Sequence, residues 1–319
     1  VNDAVTIASG LVGVAAVAGA VTAAVRLRRP RPYQATGHAL ARPADLDPLP
    51  AVLRHGLGGL TVPVTPGPHG ELFLGPGAPQ PGRTLRRLVL SPLFGRIRAH
   101  GGRLARGQQV PFRLVVEFTG ANRDAETLLQ AYRMLDQQLR DHAALLSHCD
   151  GEELTPGAVT VSIAGIVDVR ELLAADRVRY AFAEGTFDDI GSQAAPPGLV
   201  PMISEPWSRR FGWDGREPIS AEERHLLHAM VRSAHEDGRT VRISGLPEGS
   251  AKARRAIWTE LADAGVDVIA DSDQRGLARH LSRHPVSEWV AREPLPTRAV
   301  RRGSPRPTAP RGDRRHEPV

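Results

Sequence analysis

The sequence is short of the residues that build redox, stacking and disulfide chemistry. A single cysteine, Cys149, stands among 319 residues. That excludes an internal disulfide and any zinc site held by several cysteines. No motif surrounds Cys149, and it reads as an inert thiol. Aromatic residues make up 4% of the chain, too few to build a stacking platform for single-stranded nucleic acid. Lysine is nearly absent: Lys252 stands alone, so arginine carries the basic charge. No glycine-rich loop follows a strand-like run. Gly56-Leu57-Gly58-Gly59 precedes a strand instead of opening a helix, so a dinucleotide-binding fingerprint is missing. What is present is 41% hydrophobic residues, enough for a large core and against wholesale disorder.

The formal net charge is +6, and it sits at the two ends of the chain. Arg26, Arg28, Arg29 and Arg31 follow an apolar run. Seven arginines against Asp313 and Glu317 lie between Arg298 and Val319. Residues 32–297 are left mildly acidic, at −2. Residues 291–319, rich in Arg and Pro without periodicity, read as a disordered tail. Such a tail meets anionic surfaces without sequence specificity, so no specific nucleic-acid partner is expected. The sequence points to no particular protein partner.

Residues 4–25 are 22 uncharged residues rich in Ala, Val and Gly. As a helix they would reach roughly 33 Å, sufficient for a bilayer core. With the arginine cluster at their end they read as a single membrane anchor, the remainder of the chain on the cytoplasmic side. A cleaved secretory signal is the alternative, since Ala18-Gly19-Ala20 and Thr22-Ala23-Ala24 have the small residues a signal peptidase accepts. A buried helix is the third reading. The domain plan is therefore an anchor or signal segment at 1–31, a folded domain at 32–290 and the tail at 291–319.

The folded part alternates strand-like and helix-like runs. Strands are expected at 33–39, 60–64, 113–118, 159–163, 178–183, 199–204, 240–244 and 266–270. Helices are expected at 83–100, 124–147, 169–175, 221–237, 251–264 and 274–281. Ser220 with Glu223 forms a capping box, and Gly238 closes the same helix. Eight strands, most followed by a helix, over about 250 residues give an α/β class and a closed (β/α)₈ TIM barrel. An open doubly wound sheet is the alternative architecture.

In a (β/α)₈ barrel the chemistry sits at the C-terminal ends of the strands. Alternation places Thr61, Pro63 and Thr65 inward on the second strand, Arg113, Glu117 and Thr119 on the third, and Arg242 and Ser244 on the seventh. Glu184, Glu205 and Asp271 stand at strand ends. The candidate mouth pocket is therefore Glu117, Glu184, Glu205, Arg242 and Asp271, suited to a phosphate-bearing or cationic ligand. An inward arginine among carboxylates also reads as a core ion pair, because an unpaired buried charge is costly. Trp207, Phe211 and Trp213 read as loop packing or as a lid. His225 and His228 lack a third ligand and make a weak metal site.

The order of several motifs carries a resemblance. Gly37-His38-Ala39, the stretch Leu53 to Gly59, Gly70-Glu71-Leu72 and Arg83-Thr84-Leu85 with Pro92-Leu93 come first. Ser204-Glu205-Pro206-Trp207, Phe211-Gly212-Trp213-Asp214-Gly215 and Gly265-Val266-Asp267-Val268-Ile269 follow. Together, over roughly 33–283, they resemble the phosphatidylinositol-phospholipase-C-like and glycerophosphodiesterase-like barrels, in particular bacterial relatives of the altered-inheritance-of-mitochondria type. The resemblance implies a phosphodiesterase barrel with two histidines as general base and acid, and a divalent metal held by Asn, Glu and Asp.

Laid on this chain, that pattern puts Leu40 at the first histidine, Ala41 at the asparagine, Thr61 and Pro63 at the acidic ligands, and Pro76 at the second histidine. Thr119 stands where a lysine is implied. These side chains neither move a proton nor make a hard-cation site. A two-residue shift restores His38 as a catalytic histidine, but no carboxylate lies between Arg54 and Gly70. His55 and His69 flank the second strand without entering it. The expectation is a degenerate barrel without catalytic residues, metal site or cofactor, acting as a membrane-associated binding or scaffolding module. The alternative is an active phosphoric diester hydrolase on a glycerophospho- or inositol-type substrate, with Ca or Mg and an unfamiliar constellation.

Overall fold

The computed structural model describes residues 33–42, 45, 47–119, 124–164 and 169–284. The expected anchor at 4–25, its arginine flank and the tail at 291–319 lie outside these. Among the described residues no helix is long and apolar enough to cross a membrane.

The strands are β1 (Gln34–Leu40), β2 (Leu57–Pro66), β3 (Leu72–Leu74), β4 (Phe112–Phe118), β5 (His148–Asp150), β6 (Glu153–Thr155), β7 (Val159–Ala164), β8 (Val178–Arg179), β9 (Phe182–Gly185), β10 (Met202–Pro206), β11 (Thr240–Ser244) and β12 (Val268–Asp271). The helices are α1 (Leu49–His55), α2 (Ser91–Ala99), α3 (Ala125–Arg140), α4 (Val169–Ala175), α5 (Ala221–Glu236), α6 (Ala251–Asp263) and α7 (Gln274–Leu281).

The order β1-β12-β11-β10-β9-β7-β4-β2 runs parallel throughout, and β1 also pairs with β2. That pairing closes the ring: this is an eight-stranded (β/α)₈-type barrel, and the open sheet is excluded. After β9 the helix is reduced to one 3₁₀ turn, Phe187–Asp189.

Alternation along each strand sorts the core. Leu60, Val62, Val64, Leu114, Val116 and Phe118 face outward into one apolar cluster with Phe94, Leu135 and Leu139 of the helices. Ile203, Val241, Ile243 and Ile269 face outward into a second, with Leu227, Val231, Ile257 and Trp258. Val115, Met202 and Val268, on the opposite parity, form a small apolar layer inside the barrel. The glycine run before β2 serves this closure. Gly56 caps α1 in the left-handed region at φ 71°. A Cβ on Gly59 would lie 2.1 Å from His38 Nδ1 and 2.8 Å from the Arg113 carbonyl oxygen.

Several expected boundaries move. The strand expected at 178–183 divides: Val178–Arg179 pairs with β5 in a separate small sheet, and the barrel strand begins at Phe182. The run 83–100 is a π-helical turn, Arg86–Leu90, leading into α2. Pro92, which lacks the N–H of a regular turn, lies just beyond it. The helix expected at 124–147 starts as read, with the Asp124 carboxylate accepting from Thr127 N at 2.6 Å, but stops at Arg140. α1, β3, β5 and β6 are elements that periodicity did not reveal. Half of the capping box is present: Ser220 Oγ accepts from Glu223 N at 3.1 Å. The Glu223 carboxylate instead accepts from Gly212 N and Trp213 N, at 2.7 and 3.2 Å.

Candidate binding site in the barrel lumen and mouth

The lumen is crossed by one arginine. Arg242, buried on β11, donates from Nη2 to Thr61 Oγ1 at 2.8 Å and from Nη1 to Ser204 Oγ at 2.6 Å. Its Nη1 lies 3.5 Å from Glu184 Oε2, with both side chains buried. Thr61 and Arg242 are 181 residues apart, and β1 and β12 stand between their strands in the ring. His38 Nε2 shares the Thr61 hydroxyl at 2.8 Å. Burial first, then the Arg242 and Arg113 guanidiniums, hold His38 well below the usual histidine range, so it is neutral at physiological pH.

This network is incompletely satisfied. Among the described residues, His38 Nδ1, Arg113 Nη1, Arg242 Nε and Glu184 Oε1 are buried without a hydrogen-bond partner. Each such atom costs about 1–3 kcal/mol relative to a paired one. His38, Arg113, Arg242 and Glu184 share the lumen-facing parity, so two guanidiniums face one carboxylate among them.

The positions at which the resemblance implies metal ligands and proton-transfer groups gather on one side of the mouth. Leu40 is registered with Thr61, and Pro63 with Glu117. Gly75 N donates to the Pro63 carbonyl at 2.8 Å, which sets Pro76 beside it on the exposed rim. Ala41 follows β1, its N–H donating to the Thr61 carbonyl at 3.0 Å. The donor set does not fit a divalent cation. It consists of aliphatic side chains, two prolines and a hydroxyl already engaged by an arginine and a histidine. Among the described residues, no group of three or more His, Cys, Asp or Glu is placed to hold a metal.

The five candidate pocket residues do not converge. Glu184 and Arg242 meet in the lumen, and Glu117 shares their parity but is exposed at the mouth. Glu205 and Asp271 belong to the other side. Glu205 pairs in register with outward-facing Ile243, and its Oε2 accepts from Arg210 Nε at 2.9 Å. Its Oε1 accepts from Phe187 N at 3.0 Å. Asp271 accepts from Trp258 Nε1 at 3.0 Å and from its neighbour Asp273 N at 2.8 Å. Both residues sit one position off the inward parity, which standing at a strand end does not override.

The other motifs find ordinary roles. Trp207 stacks on Phe211 with centroids 4.3 Å apart and donates from Nε1 to the Trp213 carbonyl, within the outer apolar cluster. That is loop packing, not a lid. Thr119 Oγ1 donates to the Val64 carbonyl at 3.0 Å, and Thr65 Oγ1 lies 2.9 Å from it. Cys149 is buried, its thiol toward the Gly151 carbonyl. His69 lies in an exposed turn at φ 60°. Two further members of the lumen network, Ser204 and His38, lie outside the candidate pocket set. Alternation from outward-facing Ala39 and Ile203 was the signal for both.

No family model and no curated protein matches the chain. Among solved structures it is similar to a glycerophosphoryl diester phosphodiesterase from Parabacteroides distasonis, at 13% identity over 83% of this chain and 93% of that one, with a TM-score of 0.46. It is also similar to a calcium-dependent phosphoinositol-specific phospholipase C from Pseudomonas, at 11% identity over 76% and 90% of the two chains, TM-score 0.47. A Haloferax volcanii malate synthase is similar at 13% identity over 82% and 79%, TM-score 0.43.

Proposed function

We propose that this chain is a binding module, a phosphodiesterase-type barrel in which a fixed guanidinium takes the place of the metal and its proton-transfer partners. The observation that carries this reading is the Arg242–Thr61 bond across the lumen. Thr61 is where the resemblance implies an acidic metal ligand. Here it accepts from an arginine, and a cation held at that place would meet the guanidinium's repulsion at close range. The lumen donors left without a partner among the described residues, Arg242 Nε and Arg113 Nη1, suit an anionic, phosphate-bearing ligand. Residues 4–25 and the arginine tail fit work at a membrane surface.

The test is hydrolysis of bis-p-nitrophenyl phosphate by the full chain with calcium, magnesium or a chelator. Equal, background release in all three supports the binding reading. Chelator-sensitive turnover that is lost in Glu117→Gln overturns it and establishes the active hydrolase, with Glu117 at its site.

A further inference from the structure

A second polar site lies outside the barrel, between α6 and α7. A cavity of about 190 Å³ is lined there by Arg254, Arg255 and Trp258 of α6 and by Arg279, His280 and Arg283 at the end of α7. The place of Arg279 and Arg283 is ordinary, since cations at a helix C-terminus meet its dipole favourably. Two observations are not covered by that explanation. His280 is buried, lines the cavity, and its Nε2 has no hydrogen-bond partner among the described residues. Arg255 comes from the other helix and raises the positive charge facing that imidazole. Burial, with His284 and Arg255, pushes the His280 pKa down to about 4. His280 and His284 are stacked at 4.4 Å, and Trp258 backs His280 at 5.5 Å.

The nearby acids are largely engaged. Asp271 is 3.5 Å from Arg254 and accepts from Trp258, while Asp273 caps α7 through Gly276 N. Taking Arg254 as paired with Asp271, the three remaining guanidiniums against Asp273 leave a local excess of two positive charges among the described residues lining the cavity. A dianion balances that excess. The volume falls below the roughly 300 Å³ at which small-molecule pockets begin, so the cavity suits a single phosphoryl group and not a whole nucleotide.

We propose that this cavity binds a phosphomonoester dianion, with Arg255, Arg279 and Arg283 as its charge partners and His280 Nε2 as a hydrogen-bond partner. The site is separate from the lumen and does not rest on the reading of the barrel mouth. The source of the phosphoryl group is either a soluble phosphate or a phosphomonoester lipid head group.

Calorimetric titration of the full chain with inorganic phosphate, with the histidine ring signals followed by NMR, tests it. Saturable binding that moves the His280 signals, and that weakens about tenfold or more in Arg255→Ala and in Arg283→Ala, is expected. Both arginines are exposed, so these variants keep the fold. Absence of binding overturns the proposal. So does binding that leaves His280 unmoved and both variants at wild-type affinity, which is the pattern phosphate held at the mouth would give.

Phosphatidylcholine vesicles with and without phosphatidic acid separate the sources. Stronger binding of wild type than of Arg283→Ala to the phosphatidic acid vesicles assigns a lipid head group. Equal vesicle binding, with the phosphate difference retained, assigns a soluble ligand. The arginine tail is common to both proteins and cancels.

Discussion

Arg242→Met keeps an apolar stem of similar reach while deleting three contacts, those to Thr61, Ser204 and Glu184. It strands the Glu184 carboxylate in the lumen. Removing one partner of a buried pair costs about 3–5 kcal/mol. Urea unfolding should show an unfolding free energy lower by about that amount, read as a lower midpoint, and an unchanged midpoint would contradict the assigned network. His38 gives a pH signature. Its folded pKa is depressed, so the unfolded chain takes the proton first. The associated stability is complete above the unfolded value of about 6.5 and is lost as pH falls from there toward the folded pKa. Melting temperature should therefore drop between pH 7 and pH 5, and the drop should be shallower in His38→Gln. Period-two alternation made Thr61 and Arg242 legible as inward residues. It did not reach Glu205 and Asp271, which were placed by strand-end position alone, and their outward partners Arg210 and Trp258 lie on segments no local pattern connects to them.

The elements were legible where burial is one-sided. Leu60, Val62 and Val64 alternate with polar or small neighbours, and the β2 they define is present. The short antiparallel pieces β3, β5 and β6 carry no such pattern over three residues each: β3 folds back on the end of β2, and β5 and β6 pair with each other as a tight hairpin. The end of α3 was over-read because Leu146 continues the apolar spacing, whereas it packs from an extended segment bridged to Val159. The seam between β1 and β2 depends on a missing side chain. In Gly59→Ala the new methyl meets the His38 ring and the Arg113 carbonyl, so a destabilisation of about 1–3 kcal/mol is expected from overpacking. Chemical denaturation reads it. Wild-type stability in that variant would show that the strands close with room to spare.

At the scale of the whole molecule, eight strand–helix repeats counted from the sequence imply a closed barrel, and the structure shows the contacts that close it. Closure is the β1–β2 contact together with β1–β12, and the latter joins the two ends of the domain. The fate of residues 4–25 is a property of the whole chain as well. If they anchor it, their deletion should abolish association with net-neutral phosphatidylcholine vesicles, on which the arginine tail has no purchase, while the thermal unfolding transition of the folded domain stays that of the full chain. Retained association would remove the anchor from the account.

The central claim is that the mouth of this barrel no longer holds a divalent cation, and thermal unfolding with added calcium or magnesium tests it most directly. A native-state site filled to 100 times its dissociation constant adds about 2.7 kcal/mol of stability, which no melting curve would miss. Curves that coincide with those in chelator are expected. A metal-dependent rise in melting temperature that disappears in Glu117→Gln would contradict the claim.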